Sequence, residues 1–567
     1  MALKVEKIRL SLDEPEELLP RKLAEHLGIS QDALARYRIL RKSLDARRKD
    51  EIQFEYTAEV EIPDFEPQLE AAGIPRYQPE KFDWPEPGLE PLAHRPVIVG
   101  AGPAGLFAAY MLASHGYRPL VLERGKEVKD RVADVRSFDS GGPLDPESNY
   151  LFGEGGAGTF SDGKLTSRGT GPDVQRVLEI LTECHGKPSI LFEQRPHLGS
   201  NRLPLIVRTL RRKIEQLGGE VRFSCRLEDL ELQDGRLVAV HTSAGRLAAE
   251  IAVLAIGHSA RDTYEMLLRQ GVPLEQKAFQ LGVRIEQPQS RINEVRHGVF
   301  ADHPALGAAD YSLVAHTSRR DLFTFCMCAG GYVMPSVSDP GYFCTNGMSE
   351  SRHDSPFANS GLVVTVQLSD MPSKHPLAGV HYQQHVERRA FQVGERDYKV
   401  PIQWARDFLK GRASAGKLPT SYPRGQVATH LGEILPPAIL AALEEGLPIM
   451  DRQMRGQFLR DATLVGPESR GSSPVRIPRD HVTKESTYLK GLYPCGEGAG
   501  YAGGIVSAAV DGLRTARSLA SRTFSSTGRL GKRLVSWKAR PMPMRVRLGA
   551  PRCVMSWPRS LTVPAVA

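Results

Sequence analysis

Residues 96–123 read PVIVGAGPAGLFAAYMLASHGYRPLVLE, and this stretch decides the fold of the chain. Residues 97–99 are a β-branched run of the kind that suits a strand buried on both faces. A glycine turn follows, then an apolar helix that ends at Gly116, then a second strand that ends at Glu123. This order of strand, turn, helix and strand predicts a Rossmann-type dinucleotide-binding unit.

The turn carries the G-x-G-x-x-G spacing at Gly100, Gly102 and Gly105. These glycines serve a tight turn, a close approach of backbone to pyrophosphate, and close packing of helix on strand. Glu123 lies 23 positions after Gly100, where an acid accepts hydrogen bonds from an adenosine ribose. An ordinary glycine turn in a parallel sheet is the alternative. The motif alone leaves open whether the dinucleotide is FAD or NAD(P).

A second glycine-rich passage reads LDPESNYLFGEGGAGTFSDGKLTSR over residues 144–168. Five of its glycines fall within the eleven residues 153–163, and residues 153–164 are called the glycine loop below. Such density weakens regular structure, so we expect backbone pressed against a flat ring or a phosphate. A flexible surface loop is the alternative. Ser161, Asp162 and Lys164 add polar groups able to reach the heteroatoms of a flavin ring.

A third glycine-rich element closes the pattern, with the sequence YPCGEGAGYAGGIVSAAVDG at residues 493–512. Gly503 and Gly504 open a helix, whose N-terminus is a second place for phosphate or hydroxyl groups. Glu497 is the expected partner of ribityl hydroxyls. Another buried strand, IAVLAIG, ends at Gly257 and returns the chain beside the cofactor. These features favour FAD over NAD(P), because an NAD site needs no place for a flavin ring and ribityl chain.

The sequence as a whole predicts an α/β protein with a Rossmann-like FAD-binding domain, an inserted β-rich substrate domain and a small N-terminal α/β domain. The expected segments are a small α/β domain at 1–62, a linker at 63–95, the FAD-binding domain at 96–275 and 461–520, the inserted domain at 276–460, and a basic, disordered tail at 521–567. The small domain is expected to serve packing, with partner recruitment as the alternative.

Composition excludes several classes of function for the body of this 567-residue chain. The net charge of +8 misleads, because ten of the 74 Lys and Arg residues follow residue 520, where no acid occurs. The remaining 64 bases face 66 acids, which argues against a basic groove for nucleic acid. No run of about 18 apolar residues predicts a membrane span. The start lacks a secretory pattern, and seven scattered cysteines without C-x-x-C predict a cytoplasmic protein without a disulfide framework or a metal site.

Cys326 and Cys328 are separated by one residue, so in a strand they face the same side. They are candidates for contact with flavin or substrate, although two buried, apolar cysteines in a core strand is the favoured interpretation. A straight strand disfavours a disulfide between them unless the chain bends. Lys164 is the third candidate catalytic residue, able to steady negative charge on a reduced ring or to form a surface ion pair.

Long motifs carry a resemblance to a known family, and they cover nearly the whole chain to about residue 520. They are RKSLDARRK at 41–49, VGAGPAGLFAA at 99–109, LDPESNYLFGEGGAGTFSDGKL at 144–165, FCMCAGG at 325–331, TNGMS at 345–349, ESRGSSPVRIPRD at 468–480 and GLYPCGEGAGYAGGIVSAAVDG at 491–512. The chain resembles the bacterial NAD(P)/FAD-dependent oxidoreductases known as FAD-dependent dehydrogenases, with one dinucleotide-binding domain and an inserted substrate domain. It departs from their pattern at Ala329, where proline is usual, at Asp139, where an aromatic is usual, and at residues 197–201.

The resemblance implies a bound FAD and no settled substrate. The residues expected to bind the cofactor are Gly100, Gly102, Pro103, Ala104, Gly105, Glu123, Arg124, Gly155, Gly156, Ala157, Gly158, Thr159, Ser161, Asp162, Gly163, Lys164, Gly257, Gly496, Glu497, Gly503, Gly504 and Ile505. We expect an oxidoreductase that transfers hydride through the flavin N5 to or from a small molecule. No second G-x-G-x-x-G lies in a strand–turn–helix–strand unit that ends in an acid, so NAD(P)H is a candidate only as a transient electron donor. The alternatives are a redox sensor or scaffold acting through the N-terminal module, and a flavoenzyme acting on RNA.

Overall fold

The computed structural model describes residues 2–62, 75–167 and 169–525, and these residues belong to one compact unit. The part of the expected linker at 63–74 lies outside the described residues. The expected disordered tail lies outside them from residue 526 onward.

The described residues form helices and strands that alternate along the chain. The α-helices are α1 (Leu19–Leu27), α2 (Pro103–Ser114), α3 (Val128–Asp139), α4 (Pro172–Glu183), α5 (Leu203–Gln216), α6 (Arg261–Arg269), α7 (Gln289–His297), α8 (Ala378–Val393), α9 (Ala405–Phe408), α10 (Pro437–Gln453) and α11 (Ile505–Ala520). The strands are β1 (Ala2–Ser11), β2 (Arg36–Asp45), β3 (Gln53–Glu61), β4 (Glu90–Leu92), β5 (Val97–Val99), β6 (Leu120–Leu122), β7 (Glu220–Arg222), β8 (Leu227–Gln233), β9 (Arg236–Thr242), β10 (Gly245–Ala248), β11 (Ala252–Leu254), β12 (Glu275–Gln276), β13 (Phe279–Pro288), β14 (Val314–Ala315), β15 (Leu322–Cys328), β16 (Gly331–Pro335), β17 (Thr345–Ser349), β18 (Phe357–Val366), β19 (Val400–Trp404), β20 (Gln426–Ala428), β21 (Thr463–Glu468), β22 (Val475–Arg476), β23 (Leu492–Pro494) and β24 (Thr523–Ser525).

A five-stranded parallel sheet in the order β23-β11-β5-β6-β7 forms the centre of the dinucleotide-binding domain. Ile98 packs with α2, α4, α5 and α11 on one face of this sheet. Val97 and Val99 point to the other face, where they pack with the meander β8–β10 and with α6. The β-branched run is therefore buried on both faces, as such parallel strands require. The predicted α/β class with a Rossmann-like domain is confirmed.

The inserted domain is built on a seven-stranded sheet in the order β14-β15-β18-β13-β21-β19-β20. Its apolar faces are covered by α8 and α10, which contribute Val386, Leu443 and Leu447 to the same core. The sheet extends past the expected boundary at residue 460, because β21 pairs antiparallel with both β13 and β19. The expected boundary at 460 stays a prediction, and residues 463–468 lie in this sheet.

The small N-terminal domain is an antiparallel sheet, β1-β3-β2, with α1 packed on one face. Its edge strand β2 joins the rest of the molecule through backbone hydrogen bonds. The amide of Lys42 donates to the Phe192 carbonyl at 2.8 Å, and the amide of Gln194 donates to the Lys42 carbonyl at 2.9 Å. At the far end of the chain, β24 pairs with β4, so ordered structure extends beyond the expected limit at residue 520.

Candidate cofactor and active site

The first glycine turn has a geometry that only glycine permits at two of its positions. Gly100 has a φ of +102°, and a Cβ there would lie 2.3 Å from the Ala255 carbonyl oxygen. A Cβ on Gly105 would lie 1.9 Å from the Gly100 carbonyl oxygen. The turn therefore packs tightly between β5 and α2, and it presents Gly102, the N-cap of α2, at the surface of the turn.

Two helix N-termini meet beside the glycine loop. A Cβ on Gly158 would contact Pro103 of α2 at 3.3 Å and Ile505 of α11 at 3.4 Å. A Cβ on Gly503 or Gly504 would meet no atom within 4 Å, so this side of α11 faces open space. We call Gly102, Pro103, Gly158, Gly503 and Gly504 the phosphate cradle, since first-turn N–H groups and the helix dipoles favour an anion there.

The phosphate cradle is held together by close backbone contacts. The Gly155 amide donates to the Ala101 carbonyl at 2.8 Å, and a Cβ on Gly156 would lie 3.0 Å from the Gly102 Cα. A Cβ on Gly512 would lie 2.0 Å from the Ala104 carbonyl oxygen, so α11 and α2 pack with no room for a side chain between them. The glycine loop and both helices therefore hold one another in place.

Glu123 is buried, and its carboxylate accepts three backbone hydrogen bonds. The donors are the amides of Ala101 at 2.7 Å, Gly125 at 2.9 Å and Gly153 at 2.9 Å. The side chain thus ties the first glycine turn to the start of the glycine loop. Its predicted contact with a ribose remains a prediction, and the structure adds this anchoring contact.

Several predicted residues make contacts within the protein. Arg124 forms ion pairs with Glu147 at 2.7 Å and Asp262 at 2.9 Å. The Thr159 hydroxyl donates to the Glu154 carbonyl at 2.9 Å, and the Ser161 hydroxyl donates to the Gly158 carbonyl at 2.8 Å. A Cβ on Gly155 would lie 2.0 Å from the Thr159 hydroxyl oxygen, Gly163 adopts a φ of +76°, and Ala157 is exposed.

The closing turn lies against the first one. The Gly496 amide donates to Asp511 at 2.8 Å, and a Cβ on Gly496 would lie 2.7 Å from the Ala104 Cβ. A Cβ on Gly498 would lie 2.5 Å from the Gly257 carbonyl oxygen, which places the predicted return strand here. These backbone contacts fix the position of residue 497 between them.

The Glu497 carboxylate, set by this turn, has no hydrogen-bond partner among the described residues. Burial raises the pKa of Glu497 to about 7, against the opposing effect of the Lys277 ammonium. A buried carboxylate that has no hydrogen-bond donor within the protein is suited to accept hydrogen bonds from the hydroxyl groups of a ligand.

At its other end the glycine loop runs into a polar cluster formed by Asp162, Lys164, His197, Ser349 and His353. The Asp162 carboxylate lies 2.7 Å from the Lys164 ammonium and 3.4 Å from the His197 ring nitrogen Nε2, and it accepts a hydrogen bond from the Ser349 hydroxyl. The rings of His197 and His353 lie 4.1 Å apart. The loop, the segment before α5 and the end of β17 therefore converge on one carboxylate.

The polar cluster keeps its acid and its base charged. Burial alone would raise the pKa of Asp162, but Lys164 and His197 hold it below its usual value. Burial would likewise lower the pKa of Lys164, and the neighbouring Cys328, Cys326 and Asp162 raise it instead. Burial and the facing His197 lower the pKa of His353. The cluster thus offers a fixed ion pair beside imidazole groups.

Lys164 also reaches the thiol bulge, defined as Cys326, Met327 and Cys328. Its ammonium donates to the Met327 carbonyl and lies 3.8 Å from the Cys328 sulfur. Cys326 has a left-handed backbone with a φ of +46°, which is uncommon for a residue with a side chain. The chain bends here in a way that the expected straight strand does not.

Arg284 and Glu468 form a buried ion pair next to the thiol bulge. Two hydrogen bonds of 2.7 and 2.9 Å join them, and Arg284 also donates to the Cys326 carbonyl at 3.2 Å and to the Asn359 side chain at 2.8 Å. The Asn359 amide nitrogen is buried and has no hydrogen-bond partner within the described part of the chain. An unpaired buried donor beside charged groups is an expected feature of a ligand site.

Five residues that the structure brings to this region were not among the predicted site residues: His197, Arg284, Ser349, His353 and Glu468. Ser349 ends the TNGMS motif and Glu468 begins the motif at 468–480, both of which carried the family resemblance. His197 lies at a departure from the family pattern. Each is far along the chain from Lys164, so only tertiary contacts reveal the cluster. The long motif at 468–480 was the one signal that pointed to Glu468.

The residues present fit FAD at the phosphate cradle and at the closing turn. The open faces of Gly503 and Gly504 leave space for phosphate, and the unpaired Glu497 carboxylate suits ribityl hydroxyls. The glycine loop connects this place to the polar cluster, where a ring could lie. Among residues 2–62, 75–167 and 169–525, no group of His, Cys, Asp and Glu could hold a metal ion, and no helix has the length and apolarity to cross a membrane.

Family models match three parts of the chain. Residues 2–61 match a domain of unknown function (DUF8436), residues 98–154 match the NAD(P)-binding Rossmann-like domain, and residues 278–471 match the C-terminal domain-like region of FAD-dependent proteins. The chain thus combines a Rossmann-like dinucleotide-binding domain with the C-terminal domain-like region of FAD-dependent proteins. An uncharacterized protein of Clostridium beijerinckii is 41% identical over 531 residues, which span 92% of this chain and 98% of that protein. The chain belongs to the same family as this protein.

Solved structures of several enzymes also match, at low similarity. The FrdA subunit of E. coli quinol fumarate reductase is 12% identical, over 76% of this chain and 70% of that chain, with a TM-score of 0.34. L-proline dehydrogenase from P. horikoshii is 12% identical, over 76% and 93%, with a TM-score of 0.31. Glycine oxidase from Bacillus cereus is 10% identical, over 75% and 94%, with a TM-score of 0.28. At such scores these matches decide nothing about this chain.

Proposed function

We propose that this protein is an FAD-dependent oxidoreductase that binds a polar small molecule at the polar cluster and exchanges hydride with it through the flavin. FAD supplies the redox chemistry when it is bound. The observation that carries the proposal is the glycine loop itself. One short segment lies against two helix N-termini at Gly156 and Gly158, and ends in the ion pair of Asp162 and Lys164.

The residues of the chain have distinct tasks in this proposal. The phosphate cradle binds the pyrophosphate, and the Glu497 carboxylate orients the ribityl chain. Lys164 places a positive charge where a reduced flavin ring or an anionic substrate group needs one. His197 and His353 are the candidates to hold or move a proton, because each ring lies within hydrogen-bonding distance of the Ser349 hydroxyl, at 3.1 and 3.4 Å.

The proposal is tested by anaerobic flavin bleaching. The full chain is purified with FAD, and its visible absorbance is followed against a panel of donors that includes NADH, NADPH, amino acids and hydroxy acids. We expect a yellow protein that one class of donor bleaches. A folded protein that takes up no FAD would overturn the proposal. Bleaching by NADH or NADPH would identify the nicotinamide as the transient electron donor.

Variants then connect the reaction to the polar cluster. Lys164→Met and Asp162→Asn should each slow bleaching by the active donor at least about tenfold, which is about 1.4 kcal/mol, while FAD content stays the same. Lys399→Met is the matched control, since Lys399 forms an exposed ion pair with Glu395 away from the cluster. Equal rates for all three variants would remove the polar cluster from the reaction.

A redox sensor acting through the N-terminal domain is the second candidate. The observation in its favour is that Lys42 in β2 pairs with residues 192–194, which lead directly to His197 in the polar cluster. A change in the position of His197 would thus be passed to the small domain along residues 194–197. FAD that binds but is bleached by no donor, together with a partner that binds in only one redox state, would favour the sensor.

A further inference from the structure

We propose that Cys326 and Cys328 are a redox-active dithiol that exchanges with external organic disulfides, with Cys326 as the attacking thiol and Cys328 as the resolving thiol. This activity is separate from the hydride transfer proposed above, and it needs no bound flavin. It rests on the geometry of the thiol bulge, on the unequal exposure of the two sulfurs and on the charges around them.

A β-bulge supplies the bend that a disulfide across one residue requires. Phe325 is paired with Gly361, whereas Cys328 is paired with Asn359, so β15 has one more residue than β18 over this interval. In a straight strand, Cα atoms two residues apart are about 6.6 Å apart, near the upper end of the range of about 4.4–6.8 Å that disulfides span. The bulge and the left-handed backbone at Cys326 bend this stretch, and the Cys328 thiol donates a hydrogen bond to the Cys326 carbonyl at 3.2 Å.

The two thiols differ in exposure as an attacking and a resolving thiol should. Cys326 is partly exposed, whereas Cys328 is fully buried. The other cysteines of the described residues are all buried: Cys184, Cys225, Cys344 and Cys495. Cys326 is thus the accessible thiol among the described residues, and its neighbour stands ready to displace whatever binds to it.

The charges around the bulge favour a thiolate at Cys326. The neighbouring Cys328, Lys164 and Arg284 lower the pKa of the Cys326 thiol, against the opposing effect of burial. Burial raises the pKa of Cys328 well above its usual value, so this sulfur keeps its proton. A thiolate is the nucleophile in disulfide exchange, so the asymmetry assigns the first step to Cys326.

The reaction balances in two steps. The Cys326 thiolate attacks one sulfur of an external disulfide, R–S–S–R, forms a Cys326–S–S–R bond and releases one R–S⁻. The Cys328 thiol then attacks the Cys326 sulfur, closes the Cys326–Cys328 disulfide and passes its proton to the second departing R–S⁻, which leaves as R–SH. Two electrons move from the dithiol to the external disulfide, which is reduced to two thiols.

The test uses the full holoprotein and oxidised glutathione as the disulfide. All samples carry Cys553→Ser, because Cys553 lies outside the described residues. The protein is reduced, freed of reductant, exposed to oxidised glutathione, alkylated and digested without reduction. We expect the peptide with both cysteines to lack alkyl groups and to be lighter than its reduced form by two hydrogen atoms. A peptide that keeps two alkylated thiols would overturn the proposal.

Variants separate the roles of the two sulfurs. Cys328→Ser should accumulate a glutathione adduct on residue 326, and Cys326→Ser should form neither adduct nor disulfide. Cys344→Ser is the matched control, since Cys344 is buried and its thiol donates to the Ser336 carbonyl at 2.9 Å, and it should behave like the parent. An adduct on residue 328 in the Cys326→Ser variant would reverse the assignment and so contradict it.

The pH dependence of Cys326 alkylation is a further test, because a purely structural role of the two cysteines would not shift it. Mapped by mass spectrometry, iodoacetamide labelling of Cys326 in the reduced parent should rise with a midpoint below the usual pKa of a cysteine thiol. Lys164→Met should shift that midpoint upward, because it removes a positive charge that favours the thiolate. A midpoint at the ordinary thiol value, unchanged by Lys164→Met, would contradict an activated thiolate.

Discussion

Arg284 and Glu468 are joined by two hydrogen bonds of 2.7 and 2.9 Å, and neither side chain is more than 2% exposed. They lie on the adjacent strands β13 and β21, and Gly361 on the next strand leaves room for the Glu468 carboxylate. Arg284 also supports the thiol bulge through the Cys326 carbonyl. The pair therefore supports the thiol bulge, which Lys164 of the polar cluster also contacts.

Replacing one partner of this ion pair should strongly lower the free energy of unfolding. Arg284→Met leaves the Glu468 carboxylate buried without its partner, which is expected to lower the free energy of unfolding by about 3–5 kcal/mol. Urea denaturation followed by circular dichroism measures the change. The double variant Arg284→Met/Glu468→Leu should lose less than the two single variants together, since it leaves no lone buried charge. Strict additivity would contradict the coupling. Arg246→Ala, at an exposed pair with Glu231, is the control and should leave the midpoint unchanged.

Glycine substitutions should separate cofactor binding from folding. A Cβ on Gly503 meets nothing within 4 Å, so Gly503→Ala should leave the stability of the apoprotein unchanged. The same Cβ would intrude on phosphate in the cradle and should weaken FAD binding about tenfold, or about 1.4 kcal/mol. Gly105→Ala should instead prevent folding, because its Cβ would lie 1.9 Å from the Gly100 carbonyl oxygen. Flavin fluorescence titration and circular dichroism measure the two effects. Unchanged FAD affinity in Gly503→Ala would remove α11 from the cofactor site.

Glu497 should make the apoprotein less stable as the pH rises. Burial raises its pKa from 4.5 to about 7, so the folded state holds this proton more tightly than the unfolded state. The resulting stabilisation is complete below about pH 4.5 and is lost as the pH rises through about 7, a change of at most about 3 kcal/mol. Urea midpoints at about pH 5 and about pH 8 measure it. Glu497→Gln should abolish this part of the pH dependence, and an identical profile in that variant would contradict the assignment.

The N-terminal domain should be coupled to the segment before the polar cluster. Because the amides of Lys42 and Gln194 take part in one short backbone pairing, they should exchange hydrogen at matching, slow rates. Hydrogen exchange with peptide-level mass spectrometry measures this, with residues 46–50, whose amides donate no backbone–backbone hydrogen bond, as the fast-exchanging control. Fast exchange at Gln194 with slow exchange at Lys42 would show that the small domain moves independently of the rest.

The sequence predicted the dinucleotide-binding half of the molecule because its signals are local. The spacing of Gly100, Gly102 and Gly105 encodes a turn that a short stretch of chain completes by itself. The open N-terminus of α11 was likewise predicted from the Gly503–Gly504 pair. What the structure added there is the role of Glu123, which anchors the glycine loop through the Gly153 amide.

The inserted domain was harder to predict because its contacts are distant along the chain. The place of β21 beside β13 was not predicted, because nothing within the sequence of β21 indicates that pairing. The bend at Cys326 arises from the register of β15 against β18, so alternation along one strand predicts only that both thiols share a face. His197 and His353 meet across segments whose proximity no local pattern encodes.

Cys326, Asn359, Arg284 and Glu468 lie on β15, β18, β13 and β21, which are four neighbouring strands of one sheet. His197 and His353, in contrast, come from irregular segments that lie outside this sheet. Directed evolution of this scaffold therefore has two separate targets. Under the proposed function, libraries at residues 197–201 and 350–355 test which residues select the substrate, whereas changes to the four strands test which residues set its reactivity.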